Sequence, residues 1–313
     1  MKKVFVGAMA LLVGAVVFLT LFPFGQRTDR SFDAAVSNPA YSERHPTILI
    51  DEGHYNAHTA TGGFQPFAKL MKNDGYQITQ NRGAFTPEAL HGADVLVVVN
   101  AAGGSNPKLF GINLVPLRKG RREAPAFTNA EIETIRSWVR NGGSLLLIAD
   151  HFPFGPAAAK LAAAFGVTMH GGFTEVKNQY PDQKDPSAIQ YSRENGLLAG
   201  HPITDGRFVQ ERVNRVMSFT GQSLDAPGGT AILKLPPSAV EYVPPPPEFQ
   251  PRPAGGGQGV ALAYERGRVV VLGEAGMLTA QVNDDGHRFG MNVAGLDNRQ
   301  FVLNVMHWLS HLT

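Results

Sequence analysis

The chain has 313 residues, 43% of them apolar and 17% charged, with 28 basic against 26 acidic side chains and a net charge of +2. That apolar content can fill one large core and excludes a disordered chain, while the balanced charge provides no basic stripe for nucleic acid. Cysteine is absent, which excludes disulfides, thiolate metal sites, iron–sulfur clusters, a cysteine nucleophile and a lipoprotein anchor.

At the start of the chain, Lys2 and Lys3 precede an uncharged run, Val4 to Phe22. As a helix this run covers about 28 Å, close to the hydrocarbon thickness of a bilayer. Its exit, Phe22-Pro23-Phe24-Gly25, lacks a small-x-small cleavage pair. Residues 1–25 therefore predict a single-pass membrane anchor, with the lysines inside and the body outside the cytoplasm. A cleaved signal and a secreted body form the alternative. Residues 26–45 read as a polar tether, and 46–313 as one α/β domain.

In the body, Thr47–Ile50 is a short β-rich run. Gly62–Asp74 carries Phe64, Phe67, Leu70 and Met71 at helical spacing and is stopped by Gly75. Tyr76–Thr79 is a second strand, and Asp94–Val99 is an apolar run suited to a strand buried on both faces. The clearest helix is Asn129–Arg140. Thr128 and Glu131 form a capping box, Phe127 and Ile132 a hydrophobic staple, and Gly142 a left-handed cap. Ser144–Ala149 follows as a buried strand, then a small-residue helix at Pro156–Phe165 and a short strand at Val167–Met169. Residues 170–195 read as irregular. Val213–Phe219, Ala231–Leu235, Gly259–Tyr264 and Arg268–Leu272 are further strands, and Asn298–Leu312 a closing helix. Eight prolines fall within 236–253, so 236–257 reads as an excursion with polyproline character. The β-α-β-α rhythm predicts a mainly parallel twisted sheet with helices on both faces.

Ligands of open parallel sheets bind outside the carboxyl ends of the strands. Here those ends are polar: Asp51-Glu52-Gly53-His54 with His58 beyond, Asn100, Asp150-His151, and Glu274 between glycines. Carboxylates and imidazoles at one rim suit either general acid–base chemistry or a divalent metal such as zinc that activates water. The expectation is that Asp51, Asp150 and Glu274 are the catalytic carboxylates and that His54, His58 and His151 are metal ligands. Glu52, Asn100, Asp297 and Asn298 would hold the substrate. Helix capping by Asp51, Glu52 or Asp150 is the structural alternative. No Walker A motif, no Gly-x-Gly-x-x-Gly after the first strand and no Gly-x-Ser-x-Gly elbow occurs, so nucleotide binding and a standard α/β-hydrolase are unsupported.

Taken as a set, Ile48–His54 with His58, Phe127–Asp150 ending GGSLLLIADH, LLAGHPITDG at 197–206, GEAGM at 273–277 and DNRQFVLNVMHWLS at 297–310 resemble a bacterial family of the class I glutamine amidotransferase-like superfamily, near its GIFT-type and trehalose-utilisation-like domains. The resemblance covers most of 46–313 and implies a flavodoxin-like, three-layer fold. It does not imply amidotransfer, because the superfamily's nucleophilic cysteine has no counterpart in a chain without cysteine. A second likeness, to zinc-dependent cell-wall amidases, rests on the strand running into Asp51-Glu52-Gly53-His54; Asn100 stands near where their later histidine ligand would fall. Two functions follow as expectations. One is a hydrolase-like enzyme anchored in the inner membrane of the bacterial cell envelope, with a divalent metal such as zinc in its metal-dependent form. The other is a non-catalytic domain that binds a carbohydrate or small metabolite in an envelope complex.

Overall fold

The computed structural model describes residues 25–103, 108–109, 112–113, 125–181, 183–243 and 249–313. The run Val4–Phe22, read as an anchor, lies outside them, as does part of the 236–257 excursion. Among the described residues no helix is long and apolar enough to cross a membrane.

The fold is α/β. Among the described residues its main sheet has nine strands: β1 (Thr47–Asp51), β2 (Gln77–Asn81), β3 (Val95–Val99), β4 (Ser144–Ile148), β5 (Thr168–Met169), β6 (Leu224–Asp225), β7 (Thr230–Lys234), β8 (Gly257–Tyr264) and β9 (Gly267–Leu272). The strands β2, β1, β3, β4 and β9 lie side by side and parallel. Beyond β9 the sheet becomes antiparallel, because β8 pairs antiparallel with both β9 and β7. The sheet is thus mixed rather than mainly parallel. Only Glu265 and Arg266 separate β8 from β9, and a two-residue connection can close only an antiparallel hairpin; Glu265 takes the left-handed φ of 53° that such a turn needs.

The inner parallel strands are buried along their length, and successive residues point to opposite faces. Ile48, Ile50, Val97, Ile148 and Leu272 pack with the helices α1 (Gln65–Asn73) and α4 (Asn298–Leu309). Leu49, Leu96, Leu147 and Val271 pack with α2 (Asn129–Arg140) and α3 (Phe154–Ala163). Each such side chain contributes about 1.5–3 kcal/mol by leaving water, which makes the sheet a stiff platform for the loops at its edge. Helix α2 starts at the expected capping box, with Thr128 and Glu131 bonded reciprocally.

Three segments depart from the sequence reading. The supposed tether is part of the body: Phe32, Ala34 and Tyr41 are buried in the core, and Arg27–Thr28 pairs as a strand with Ala280–Val282. Residues 170–195 contain two short strands, Phe173–Glu175 and Ile189–Ser192. The proline-rich excursion includes an antiparallel pair, Val240–Val243 with Gln250–Pro253. Pro251 and Pro253 are tolerated because, among the described residues, that strand pairs only with Val240–Val243 and stands at the sheet's edge.

Candidate active site

The parallel register aligns Val99 with Ile148 and Ile148 with Leu272. The residues that follow therefore leave the sheet at one edge. Asn100 comes directly after β3, Asp150 two residues after β4, and Glu274 two residues after β9. Asn100 holds a left-handed backbone (φ 46°), which asparagine tolerates better than most residues. Its side chain fixes Asp150 twice: Nδ2 donates to Asp150 Oδ2 at 2.7 Å, and Oδ1 accepts from the Asp150 amide at 2.9 Å. The amide of Ala275 donates to Asp150 Oδ1 at 2.5 Å. Asn100 is thus a positioning residue behind Asp150 rather than a wall of the cavity.

Asp150 and Glu274 line one cavity of about 220 Å³, together with Gln26, His58, His151, Phe219, Thr220, Gln281 and Phe289. Glu274 is 3% exposed. Its oxygens accept the amides of Gly276 and Met277 at 2.5 and 2.8 Å. Burial lifts Asp150 to about 6, against the pull of the Asn100 and Ala275 donors. Burial and then the charge of Asp150 push Glu274 well above the usual carboxylate range, against its backbone donors. Near neutral pH the arrangement favours a carboxylate at Asp150 and a neutral acid at Glu274. Burial lowers His58 and His151, so both rings are neutral there. His151 stacks on Phe173 with ring centroids 4.1 Å apart. Its Nδ1 donates to the Phe152 carbonyl at 2.7 Å, which leaves Nε2 as the acceptor.

Asp51 and His54 belong to a different, sealed cluster. His54 Nδ1 donates to Asp51 at 2.9 Å and Nε2 to Glu131 Oε1 at 2.8 Å. Phe85 and Phe127 cover the ring at centroid distances of 4.7 and 4.8 Å. Asp51 is fully buried and also accepts from Asn56 at 3.1 Å and Asn81 at 3.2 Å. Burial opposes the charge on His54, but the two carboxylates raise it above its ordinary value. Burial likewise opposes ionisation of Glu131, yet His54, Thr128 and the Phe85 amide hold it at about 2. The ring is a cation clamped between two anions, and it ties the β1 loop to the start of α2.

Of the expected site residues, the structure brings Asp150, Glu274, His58 and His151 to one cavity and leaves the others elsewhere. Glu52 accepts the Ala60 amide at 2.9 Å and ties down its own loop. Asp297 accepts the amides of Asn214 and Arg215 at 2.7 and 3.0 Å. Asn298 bonds the backbone of Met217 in both directions. These two pin the start of α4 to the strand Arg215–Ser218 and do not line the cavity. The three histidines read as metal ligands do not converge, because both nitrogens of His54 are taken by carboxylates outside the cavity. Among the described residues no group of three His, Asp or Glu side chains could hold a metal ion.

Several wall residues carried no sequence signal. Gln26 lay in the supposed tether, while Gln281 and Phe289 come from a hairpin that the periodicity did not mark. Gln222 supports the cavity floor: it accepts the Gly171 amide at 2.7 Å and donates to the carbonyls of Ala149 and Asp150 at 2.7 and 3.1 Å. A polar residue just before the short strand β6 is the one trace it leaves in the sequence.

No protein-family model and no curated protein sequence matches the chain. Solved structures do. The N-terminal domain of mmIFT52 is 18% identical over 84% of this chain and 97% of that one, with a TM-score of 0.56. A ThuA-like protein from Bacteroides uniformis is 14% identical over 87% and 95%, with a TM-score of 0.43. A cytoplasmic protein from Salmonella typhimurium is 15% identical over 84% and 98%, with a TM-score of 0.47. At such identities the likeness to the first shows the fold alone.

Proposed function

We propose that this chain is a hydrolase-like enzyme that works by acid–base chemistry from Asp150 and Glu274 on a small, neutral, polar ligand of the carbohydrate type. One observation carries the reading: a half-buried aspartate and a buried glutamate from neighbouring strand ends line the same small cavity beside two histidines. The environments of the carboxyls differ. Both carboxyls accept a donor on each oxygen, so depth and mutual charge separate them; Asp150, the less buried, serves as the base that takes a proton from water. Glu274, deeper and beside that charge, serves as the acid that protonates the leaving oxygen. Phe219 and Phe289 supply apolar wall, and neutral His58 and His151 can exchange hydrogen bonds with hydroxyl groups. A volume of about 220 Å³ is below the usual range for drug-sized ligands and suits a single ring or a short polar group.

The donor set does not fit the divalent metal that the sequence raised, so no step is routed through one. Glutamine amidotransfer is excluded by the missing cysteine. The apolar clusters on opposite faces of the sheet support the flavodoxin-like layering that the family resemblance implies. On the strength of Lys2, Lys3 and Val4–Phe22 we place the body at the outer side of a membrane.

The amides that Glu274 accepts from Gly276 and Met277 favour a second reading, in which this carboxyl only shapes a turn and the cavity binds a metabolite without turnover. The test is a panel of chromogenic glycosides and esters with the wild type, Asp150→Asn and Glu274→Gln, alongside ligand-induced stabilisation. Turnover lost in both variants supports the enzyme. Stabilisation by a ligand with no turnover in the wild type supports the binding domain.

A further inference from the structure

The strand Arg27–Thr28 and the loop 58–62 each separate two spaces. On one side, Gln26, Gln281 and His58 line the acidic cavity. On the other, Arg27, Thr28, Thr61, Gly62 and Val282 line a second cleft of about 1220 Å³, whose walls also carry Arg30 and Lys69. The acid in this cleft, Asp29, is neutralised by Arg288 at 2.8 Å and bonded by Asn292 at 2.8 Å. Arg27 is paired with Asp284 at 2.7 Å. Arg30 and Lys69 are exposed and form no ion pair among the described residues, so the cleft keeps a positive excess. Burial of Phe32 beside them and the Asp29 network hold that segment in place.

The position of the cleft along the chain is equally informative. Arg27 stands five residues beyond Phe22, the end of the uncharged run, at most about 18 Å of extended chain. If that run spans a bilayer, the cleft opens at the headgroup level. Arginine presents a planar fork that matches phosphate oxygens, and lysine adds a mobile point charge.

We propose that the cleft beside Arg30 and Lys69 binds the anionic phosphate headgroup of a membrane lipid. The proposal is independent of the chemistry assigned to Asp150 and Glu274. It predicts saturable binding of dihexanoyl phosphatidylglycerol to the full chain in neutral detergent, measured by titration calorimetry. Zwitterionic dihexanoyl phosphatidylcholine and inorganic phosphate bind at least about 10-fold more weakly. The double variant R30Q/K69Q loses about 30-fold in affinity for phosphatidylglycerol, at roughly 5-fold for each cation near a charged surface. Asp150→Asn leaves that affinity unchanged, so the lipid site and the catalytic reading stand or fall separately. Inorganic phosphate binding as tightly as the lipid would overturn the lipid assignment in favour of a free anion. Equal affinity in R30Q/K69Q and the wild type, or no saturable binding at all, would remove the site.

Discussion

Glu131→Gln is the sharpest test of the sealed cluster. The substitution keeps the side chain's size and removes the charge that faces His54 at 2.8 Å. Glu131 is held at about 2 against an ordinary 4.5, and at 1.36 kcal/mol for each pH unit this difference corresponds to about 3 kcal/mol of folding stability. Because the folded value is the lower one, that contribution is complete above pH 4.5 and is lost as the pH falls towards 2. At pH 3.5 about 2 kcal/mol of it remains. His54 has the opposite sign. Its raised value contributes fully below the ordinary 6.5 and is lost as the pH rises through the folded value. The gap between wild type and Glu131→Gln should therefore be widest between about pH 5 and 6, near 3 kcal/mol, or about 5 °C in Tm for a chain of this size. Breaking one side of a buried ion pair gives the same order of cost. The assay is thermal and urea unfolding of both proteins at pH 6 and pH 3.5, followed by circular dichroism. A gap below 1 kcal/mol at pH 6, or one that widens on acidification, would refute the clamp.

Other consequences follow from the cavity. The rate of any turnover should rise with a midpoint near pH 6, as Asp150 loses its proton, and fall at higher pH as Glu274 loses its own; a pH–rate profile reads both limbs, and Asp150→Asn should lower the plateau at least about 100-fold. A chain starting at Gly25 should keep the cavity, whereas one starting at Ser31 lacks Gln26, the Arg27–Thr28 strand and the Asp29 network. The shorter chain should lose both turnover and thermal stability. Gly221→Ala should disturb Glu274 from behind: a Cβ there meets the Gly273 carbonyl at 2.4 Å and Glu274 Cβ at 2.8 Å. Overpacking of this kind costs about 1–3 kcal/mol, visible as a lower Tm together with reduced ligand stabilisation.

Apolar runs and caps made the platform legible. The apolar runs Asp94–Val99 and Ser144–Ala149 read as strands covered on both faces, and Thr128 with Glu131 marked the start of α2. Those elements then fixed where Asn100 and Asp150 leave the sheet. The antiparallel half was harder to read, since runs such as Thr230–Lys234 do not reveal which neighbour they pair with. The tether reading failed because residues 26–45 are polar in composition, yet Phe32, Ala34 and Tyr41 alone are enough to seat the segment on the core. Half of the cavity wall was likewise invisible. Gln26 and Gln281 reach the same cavity through the pairing of Arg27–Thr28 with Gln281–Val282, between residues more than 250 positions apart that no local pattern encodes.

Two strand ends with nearly the same chemistry reach opposite outcomes at this rim. β1 ends in an acid with a histidine three residues on; after β4 comes an acid with a histidine next to it. Distant partners decide between them. Glu131 lies 77 residues from His54, and with Phe85 and Phe127 it occupies every direction in which that imidazole could meet a ligand. Among the described residues no carboxylate pairs with the His151 ring, whose Nδ1 donates to the neighbouring carbonyl of Phe152, and Asp150 shares its cavity with an acid of the same sign. Paired charges of opposite sign satisfy one another and stabilise the fold, whereas like charges forced together resist ionisation and keep a proton available. The candidate site at this end of the sheet is therefore set by the juxtaposition of Asp150 with Glu274, and the more conspicuous aspartate–histidine pair holds the loop.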